Sequence, residues 1–393
     1  MVLTMSRKDS SADGLYLIQA AGFTAAILYW ANESGPLENW SAIAVIPLSA
    51  DGYGTFSFKG CRAVPREVTH VVARVFCEDK EVYQDIFAPF TQEKDTVPQS
   101  KSTHLVIMSD LHLSKKSGQV KKALDYGKDA DIVLLAGDLV NDGEQRQFER
   151  LQECINEELP NKAVFSVSGN HDYPLNPFPQ IRDGLCDYPA LQSWLFERAD
   201  RLGYSVESDS CGAYAVLLGD VEIIGINAVT HWRRFIFRDG AQLKWLKKHL
   251  NDSDAKWHVI ICHAPLLKHN PNRNSGEPYL SRDDQLQKIL DEFRNVVFVS
   301  GHTHVSMNSP VGCVEYDEKK QHLYLNDGSI RPTTLLTDEQ KFPDEFVHGN
   351  VIDLEIAGDQ ITVTGKSVKN GRKIARGYYQ IVCCQKQSDK EFV

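Results

Sequence analysis

The sequence has no excess of basic residues. Its 393 residues include 43 Lys and Arg against 53 Asp and Glu, which gives a formal net charge of -10. A protein that mainly binds a nucleic-acid backbone needs a basic surface, so this charge balance disfavours nucleic acid as a partner. It does not exclude a small phosphorylated substrate, because bound metal ions can supply positive charge locally.

A run long enough to cross a membrane is also missing. The apolar segment at residues 15–30 contains Gln19 and Thr24, and it is shorter than the roughly 20 residues of a membrane-spanning helix. It also lacks a clean small-residue cleavage site, which argues against a secretory signal. We interpret the segment as strands and expect no membrane partner.

The nine cysteines follow no recognisable spacing. Their number is odd, and the adjacent residues Cys383 and Cys384 do not form the Cys-x-x-Cys pattern of metal or redox sites. The absence of a disulfide pattern predicts reduced thiols. We therefore expect a soluble protein of the cytoplasm.

The chain has two successive regions with different hydrophobic patterns, and it contains no internal repeat. Residues 1–14 are polar and are predicted to be frayed. Short apolar runs separated by turns then continue to about residue 90, which predicts an immunoglobulin- or fibronectin-like β domain at residues 1–97. A polar linker at residues 91–102 leads into a second domain, residues 98–393. We expect the β domain to have a structural or partner-contact role, and a homo-oligomer formed through it is compatible with the sequence.

From residue 104, strand-like runs alternate with helical ones, which predicts an α/β domain. The predicted strands lie at residues 105–108, 132–135, 163–167, 221–226, 257–261 and 296–299, followed by C-terminal strands at 322–325, 351–356, 361–364 and 378–382. The predicted helices lie at residues 119–126, 144–157, 191–201, 242–250 and 283–293. Residues 173–212 are interpreted as an insertion that caps a site.

Five of these strands end in side chains that can bind metal. The endings are Asp110-Leu111-His112, Gly137-Asp138, Gly169-Asn170-His171-Asp172, Cys262-His263 and Gly301-His302-Thr303-His304. The carboxyl ends of parallel strands are where open α/β sheets place their sites. Each motif alone is weak, since Gly-Asp occurs three times in this chain. Their conjunction at five strand ends predicts one common site.

The candidate ligands are three oxygen donors and four imidazoles, namely Asp110, Asp138, Asn170, His112, His263, His302 and His304. A carboxylate can bridge two cations, so Asp138 is the candidate bridge for a pair about 3.5–4 Å apart. Mixed nitrogen and oxygen ligands favour iron, manganese or zinc over magnesium or calcium. We therefore expect two divalent or trivalent transition-metal ions as cofactors.

This order of motifs resembles the calcineurin-like metallophosphoesterase superfamily over about residues 104–330. It is most similar to the class III cyclic-nucleotide phosphodiesterase and glycerophosphodiesterase branch, which shares Gly-Asn-His-Asp. The resemblance implies a four-layer α-β-β-α sandwich, here with a small all-β sandwich before it. It also implies the ligands of each ion: Asp110, His112, Asp138 and His304 for the first, and Asp138, Asn170, His263 and His302 for the second.

Purple acid phosphatases resemble the same layout and carry an N-terminal β domain. They place a tyrosine three residues after the bridging Asp, where this chain has Asn141. This departure argues against a tyrosinate-ligated iron site.

The expected function is hydrolysis of small phosphate esters by a metal-bridging hydroxide, with phosphodiesters slightly favoured. His171 is the candidate general acid, and Asp172 is the candidate residue that orients the His171 ring. A phosphomonoesterase or protein phosphatase is the alternative among enzymes. A catalytically silent binding or scaffold protein on the same fold is the alternative from another class, although competent residues fill all seven ligand positions.

Overall fold

The structure is a computed structural model. It describes residues 1–7, 12–58, 62–77, 82–89, 102–173, 187–231, 234–237, 240–269, 280, 283–309, 313–331, 340–346 and 349–383. Cys384, most of the predicted linker and part of the predicted insertion lie outside these ranges. None of the helices in the described ranges has the length and apolarity that a membrane span requires.

The first part of the chain is all β. Its strands are β1 (Val2–Arg7), β2 (Gly14–Gln19), β3 (Ala25–Asn32), β4 (Gly35–Pro36), β5 (Ala44–Pro47), β6 (Tyr53–Phe58), β7 (His70–Cys77) and β8 (Val82–Pro89). One sheet has the order β1-β2-β6, and the other has the order β4-β3-β7-β8 with β5 also paired to β3. The predicted all-β region is thereby confirmed.

The N terminus differs from the expectation of a frayed segment. Strand β1 pairs antiparallel with β2 along its whole length, from Val2 opposite Gln19 to Arg7 opposite Gly14. The reason is that apolar and polar residues alternate along β1. Leu3 is buried in the core of this part, and Met5 packs against that core. One apolar side chain in two is enough to hold an edge strand.

The second part alternates strands and helices. Its elements are β9 (Thr103–Met108), α1 (Gly118–Asp125), β10 (Ile132–Leu135), α2 (Gln145–Glu158), β11 (Ala163–Ser166), α3 (Tyr188–Arg201), β12 (Val206–Ser208), β13 (Tyr214–Leu218), β14 (Val221–Gly225), β15 (Val229–His231), β16 (Arg234–Phe235), α4 (Ala241–Asp252), β17 (Trp257–Ile261), α5 (Asp283–Leu290), β18 (Val296–Ser300), β19 (Val314–Asp317), β20 (His322–Asn326), β21 (Asn350–Ala357), β22 (Gln360–Ser367) and β23 (Lys373–Val382). Single 3-10 turns lie at Tyr126–Asp129, Asn170–Asp172 and Leu267–His269.

Two large sheets form the centre of this part. The six-stranded sheet has the order β11-β10-β9-β21-β22-β23, and the seven-stranded sheet has the order β12-β13-β14-β17-β18-β20-β19. Alternate residues of β9 face opposite layers, with Leu105 in the core between the sheets and Val106 in the core beneath α1 and α2. In β18, Val297 faces the other sheet and Phe298 faces α4 and α5. Burial on both faces explains the continuous apolar runs and confirms the four-layer α-β-β-α arrangement.

The two parts share a boundary along β23. Ala375 of β23 belongs to the core of the N-terminal sheets, and the ring of Tyr378 meets Trp40 edge to face at 5.5 Å. The Arg376 guanidinium donates to the backbone carbonyls of Ile43 and of Asn308, the latter at 2.9 Å. The division at residue 97 stays a prediction, since residues 90–101 lie outside the described ranges.

Strand direction brings the five predicted endings to one place. Strands β9, β10 and β11 run parallel, and so do β17 and β18 in the other sheet. The two sheets meet at this edge, where the His302 backbone N–H donates to Asp110 Oδ2 at 3.2 Å. Side chains that are far apart in sequence therefore converge at the carboxyl edge of both sheets.

Candidate metal centre

The first group of candidate ligands contains Asp110, His112, Asp138 and His304. One ligand atom from each lies within 4.8 Å of the others. His304 Nε2 is 3.0 Å from Asp110 Oδ1, and His112 Nε2 is 3.8 Å from Asp138 Oδ2. The Nε2 atoms of His112 and His304 are only 3.1 Å apart, so they share either a proton or a cation.

The second group contains Asp138, His263 and His302, again with one atom of each within 4.8 Å of the others. His263 Nε2 lies 3.4 Å from Asp138 Oδ2, and the rings of His263 and His302 are 5.3 Å apart. Asp138 belongs to both groups. It thus occupies the position expected of a bridging ligand between two neighbouring cations.

Unpaired buried atoms test whether metal ions fit this site. Among the residues that the structure describes, Asn170 Oδ1 and His302 Nε2 are buried without a hydrogen-bond partner. A buried polar atom without a partner costs about 1–3 kcal/mol, so both atoms call for a compensating ligand. The nitrogen and oxygen donors suit transition metals, and the residues present therefore fit two such ions.

Backbone contacts orient two of the imidazoles. His263 Nδ1 lies 2.8 Å from the carbonyl oxygen of Ala136, and His304 Nδ1 lies 3.1 Å from that of Arg331. A carbonyl only accepts hydrogen bonds, so each Nδ1 carries a hydrogen. Nε2 of each ring is left to bind metal, which is the usual arrangement of metal-ligating histidines.

The backbone at the site adopts a conformation that side chains disfavour. Positive φ angles occur at Asp110 (52°), His112 (41°), Asp138 (50°), His302 (70°) and His304 (51°). Such a conformation costs on the order of 1–3 kcal/mol for a residue with a side chain, and it clusters at functional sites. The surrounding sheets therefore hold these five candidate ligands in strained turns.

A glycine precedes three of the ligand endings because neighbouring atoms fill the space of a side chain. A Cβ at Gly137 would lie 2.5 Å from His263 Nδ1, and one at Gly301 would lie 2.6 Å from Ser109 Oγ. At Gly169 the Cβ would lie 2.1 Å from the backbone nitrogen of Asp138 and 2.2 Å from its Oδ1. The glycine of Gly-Asn-His-Asp is therefore required by direct contact with the candidate bridge.

This contact predicts the effect of Gly169→Ala. The added methyl group must displace Asp138, and a misplacement of about 1 Å lowers activity roughly 10²-fold. We expect that loss in kcat/KM and a destabilisation of about 1–3 kcal/mol from overpacking. Steady-state kinetics and thermal unfolding measure the two effects. The control is Gly365→Ala, whose Cβ would meet no atom closer than 3.4 Å; equal kinetics in both variants would contradict the geometry.

A model of the calcineurin-like phosphoesterase family matches residues 103–306, which is more than half of the chain and includes all the candidate ligands. The chain belongs to the calcineurin-like phosphoesterase family.

Two curated relatives of this phosphoesterase are diesterases by name. This chain is 24% identical to the 3′,5′-cyclic adenosine monophosphate phosphodiesterase CpdA of Haemophilus influenzae over 247 residues. The alignment covers 57% of this chain and 81% of the relative. The chain is 20% identical over 215 residues to the probable glycerophosphodiester phosphodiesterase GpdQ of Arcobacter nitrofigilis, covering 51% of this chain and 71% of the relative. The predicted superfamily and branch are confirmed, and the phosphoesterase is a metal-dependent phosphoric ester hydrolase.

A solved structure shows that the fold extends over the N-terminal sheets. The purple acid phosphatase PPD1 from yellow lupin seeds aligns with 97% of this chain and 74% of its own, with a TM-score of 0.50 and 12% identity. At this identity the comparison concerns the fold alone.

At the site, the negative charges of the aspartates and the positive charges of neighbouring imidazoles stabilise each other. Burial alone would raise the pKa of the Asp110 and Asp138 carboxyls, but the neighbouring imidazoles hold both below the usual range. Although burial opposes it, the Asp138 carboxylate raises the pKa of His263 to about 10, and the Asp110 carboxylate raises that of His304 to about 9. Metal binding to these two imidazoles must therefore release protons.

The orienting partner of His171 differs from the expectation. His171 Nδ1 lies 2.9 Å from the carbonyl oxygen of Asn141, and its backbone N–H donates to Asp138 Oδ1 at 2.8 Å. Asp172 instead accepts backbone N–H groups from Leu139, Val140 and Gly169 at 2.8, 3.0 and 2.7 Å. The Asn141 carbonyl orients the ring, while Asp172 joins the loops that follow β10 and β11.

Sequence reasoning missed Ser109 and Asp327. Ser109 Oγ makes hydrogen bonds with both Asp110 Oδ2 and Asp327 Oδ1. Burial and the charge of Asp110 raise the pKa of Asp327 to about 8. The sequence feature that could have indicated Asp327 is its position directly after the apolar strand β20, which is parallel to β18.

Proposed function

We propose that this phosphoesterase hydrolyses small phosphodiesters at a centre of two transition-metal ions, which are iron, manganese or zinc. The observation that carries the proposal is the pair of ligand groups that share Asp138. The donor atoms of Asn170 and His302 support it, since both are buried without a hydrogen-bond partner in the described part of the chain and are suited to a second ion. The names of the two curated relatives favour diesters over monoesters.

We assign the candidate ligands to two ions according to the two groups that share Asp138. Asp110, His112 and His304 would hold one, Asn170, His263 and His302 the other, and Asp138 both. When bound, the two ions would neutralise phosphate oxygens and lower the pKa of the water that attacks phosphorus. The protein contributes the fixed ligand geometry, which it maintains with strained turns and close glycine contacts.

His171 is the residue that we propose to donate a proton to the leaving alkoxide. Its Nδ1 keeps a hydrogen because the partner, the Asn141 carbonyl, can only accept. Nε2 is then the nitrogen that gains or loses a proton during the reaction. The His171 ring meets His112 edge to face at 4.5 Å, which places it beside the candidate ligands.

A substrate screen tests the proposed function. The protein is reconstituted separately with Mn²⁺, Fe²⁺ and Zn²⁺ and assayed with bis(4-nitrophenyl) phosphate, 4-nitrophenyl phosphate, cyclic nucleotides and glycerophosphodiesters. We expect about two ions per chain and a higher kcat/KM for diesters than for monoesters. A preference for 4-nitrophenyl phosphate would indicate a phosphomonoesterase. Failure to bind metal and to hydrolyse any ester would favour a binding protein.

A further inference from the structure

A cavity of about 990 Å³ lies beside the metal centre. Three of its lining residues connect it to the site. Ser114 lies two residues after His112, and Asp142 follows Asn141, whose carbonyl orients His171. The third is Arg331, whose carbonyl binds His304 at 3.1 Å. The volume is in the range of pockets that hold small organic ligands.

Positive charge is concentrated in this cavity. Its lining includes five cationic side chains, Lys115, Lys116, Arg146, Arg150 and Arg331, and three acidic ones. One of the cations, Arg146, pairs with Glu144, and one of the acids, Asp142, accepts from Gln147 Nε2 at 2.8 Å and from Asn141 Nδ2 at 2.9 Å while keeping its charge. A net positive cavity stands out in a chain whose formal charge is -10.

The backbone of Arg331 is held by two hydrogen bonds, whereas its guanidinium Nε has no partner among the described residues. Its backbone N–H donates to Ser329 Oγ at 2.9 Å, and its carbonyl accepts from His304, so the residue is anchored against a candidate ligand. Its Nε is buried and has no hydrogen-bond partner among the residues that the structure describes. The guanidinium fork matches the oxygens of a phosphate group.

The start of helix α1 adds to the positive potential. Gly118, its first residue, lines the cavity. The Ser117 side chain makes no capping hydrogen bond, and the first turn contains no acidic residue. Unpaired N–H groups and the helix dipole favour an anion at this end.

We propose that this cavity is a second anion site, and that the substrates are small phosphodiesters that carry another, non-scissile phosphate. The inference rests on the proposed diesterase function. The scissile phosphate would lie at the ligand groups around Asp138. The second phosphate would bind Arg331, Lys115 and Lys116, which border the same site on the side of His112 and His304.

Two matched substrates test the second anion site. Thymidine 5′-(4-nitrophenyl phosphate) and its 3′-phosphorylated analogue release the same leaving group and differ by one phosphate. For the metal-reconstituted wild type we expect kcat/KM to be roughly tenfold higher for the 3′-phosphorylated substrate, mainly through a lower KM. Arg331→Gln and the double variant Lys115→Gln/Lys116→Gln should each bring the ratio of the two kcat/KM values towards one.

Controls separate this inference from the function on which it rests. Lys247→Gln removes a half-buried positive charge that pairs with Glu292 outside the cavity lining, and it should keep the wild-type ratio. Lys115 and Lys116 are exposed, so their variant tests the proposal even where Arg331→Gln does not fold. Equal kcat/KM for both substrates in the wild type would overturn the anion site while leaving the diesterase intact. Hydrolysis of neither substrate would instead overturn the diesterase function.

Discussion

The Asp138→Asn variant is expected to lose about 10³- to 10⁴-fold in kcat/KM, corresponding to about 4–6 kcal/mol of transition-state stabilisation by two metal ions. Asp138 is almost fully buried and belongs to both ligand groups. Asparagine keeps the size of the side chain and one oxygen, but its amide nitrogen cannot bind a cation. The substitution therefore weakens both metal sites at once, whereas a change at any other ligand directly affects one.

The same variant separates metal binding from folding. Removing the Asp138 charge removes its repulsion of Asp110 but also its pairing with the buried His263, whose pKa it raises, so the metal-free variant should unfold at a lower temperature than the metal-free wild type. Added Mn²⁺ should raise the Tm of the wild type by mass action and leave that of Asp138→Asn nearly unchanged. Metal content per chain and thermal unfolding with and without Mn²⁺ measure these effects.

Asp353→Asn is the matched control for Asp138→Asn. Asp353 is also a buried aspartate of the second part, on β21, and it pairs with His104 at 3.5 Å and with Lys366. Its substitution should lower stability and leave metal content and kcat/KM within a factor of a few. Near-normal turnover by Asp138→Asn, or equal metal loss in the two variants, would contradict the shared-ligand geometry.

The strands that carry the site were predictable because they are buried on both faces. Strands β10 and β17 have the bounds that their apolar runs predict, residues 132–135 and 257–261. The ligand endings are local in sequence, so each could be assigned to a strand end without knowing the tertiary structure. Parallel strand direction then placed all of them at one edge.

Edge strands were harder to predict. β12 and β19 are the two outer strands of the seven-stranded sheet, and their residues are mostly half-buried or exposed. An edge strand has fewer neighbours to bury its side chains, so its sequence lacks a continuous apolar run. β1 was missed for the same reason, since only alternate residues contribute to the core.

Contacts that depend on tertiary structure left no local signal. Ser109 and Asp327 are 218 residues apart, and their hydrogen bond arises only because β9 and β20 end at the same edge. The partner of His171 is a backbone carbonyl, which any residue at position 141 would provide. The sequence made Asp172 the expected partner by adjacency, but the turn at Asn170–Asp172 directs its carboxylate to backbone N–H groups instead.

The second large effect is expected for His171→Ala with substrates that have poor leaving groups. A general acid contributes about 10²- to 10⁴-fold when the leaving alkoxide needs a proton. We expect a loss of that size in kcat for glycerophosphodiesters and a loss below about tenfold for bis(4-nitrophenyl) phosphate, since nitrophenolate leaves without protonation. The backbone N–H of residue 171 still donates to Asp138 in this variant, so the bridging carboxylate keeps its orientation.

Metal content and a second histidine variant complete the test of His171. His171→Ala should retain about two ions per chain, because neither ligand group contains this residue. His104→Ala removes an imidazole that pairs with Asp353, and it should leave both activities near those of the wild type. An equal loss for both leaving groups would assign His171 to positioning His112, whose ring it contacts. Loss of metal would instead make His171 part of the metal site, and the proton donor would have to be sought elsewhere.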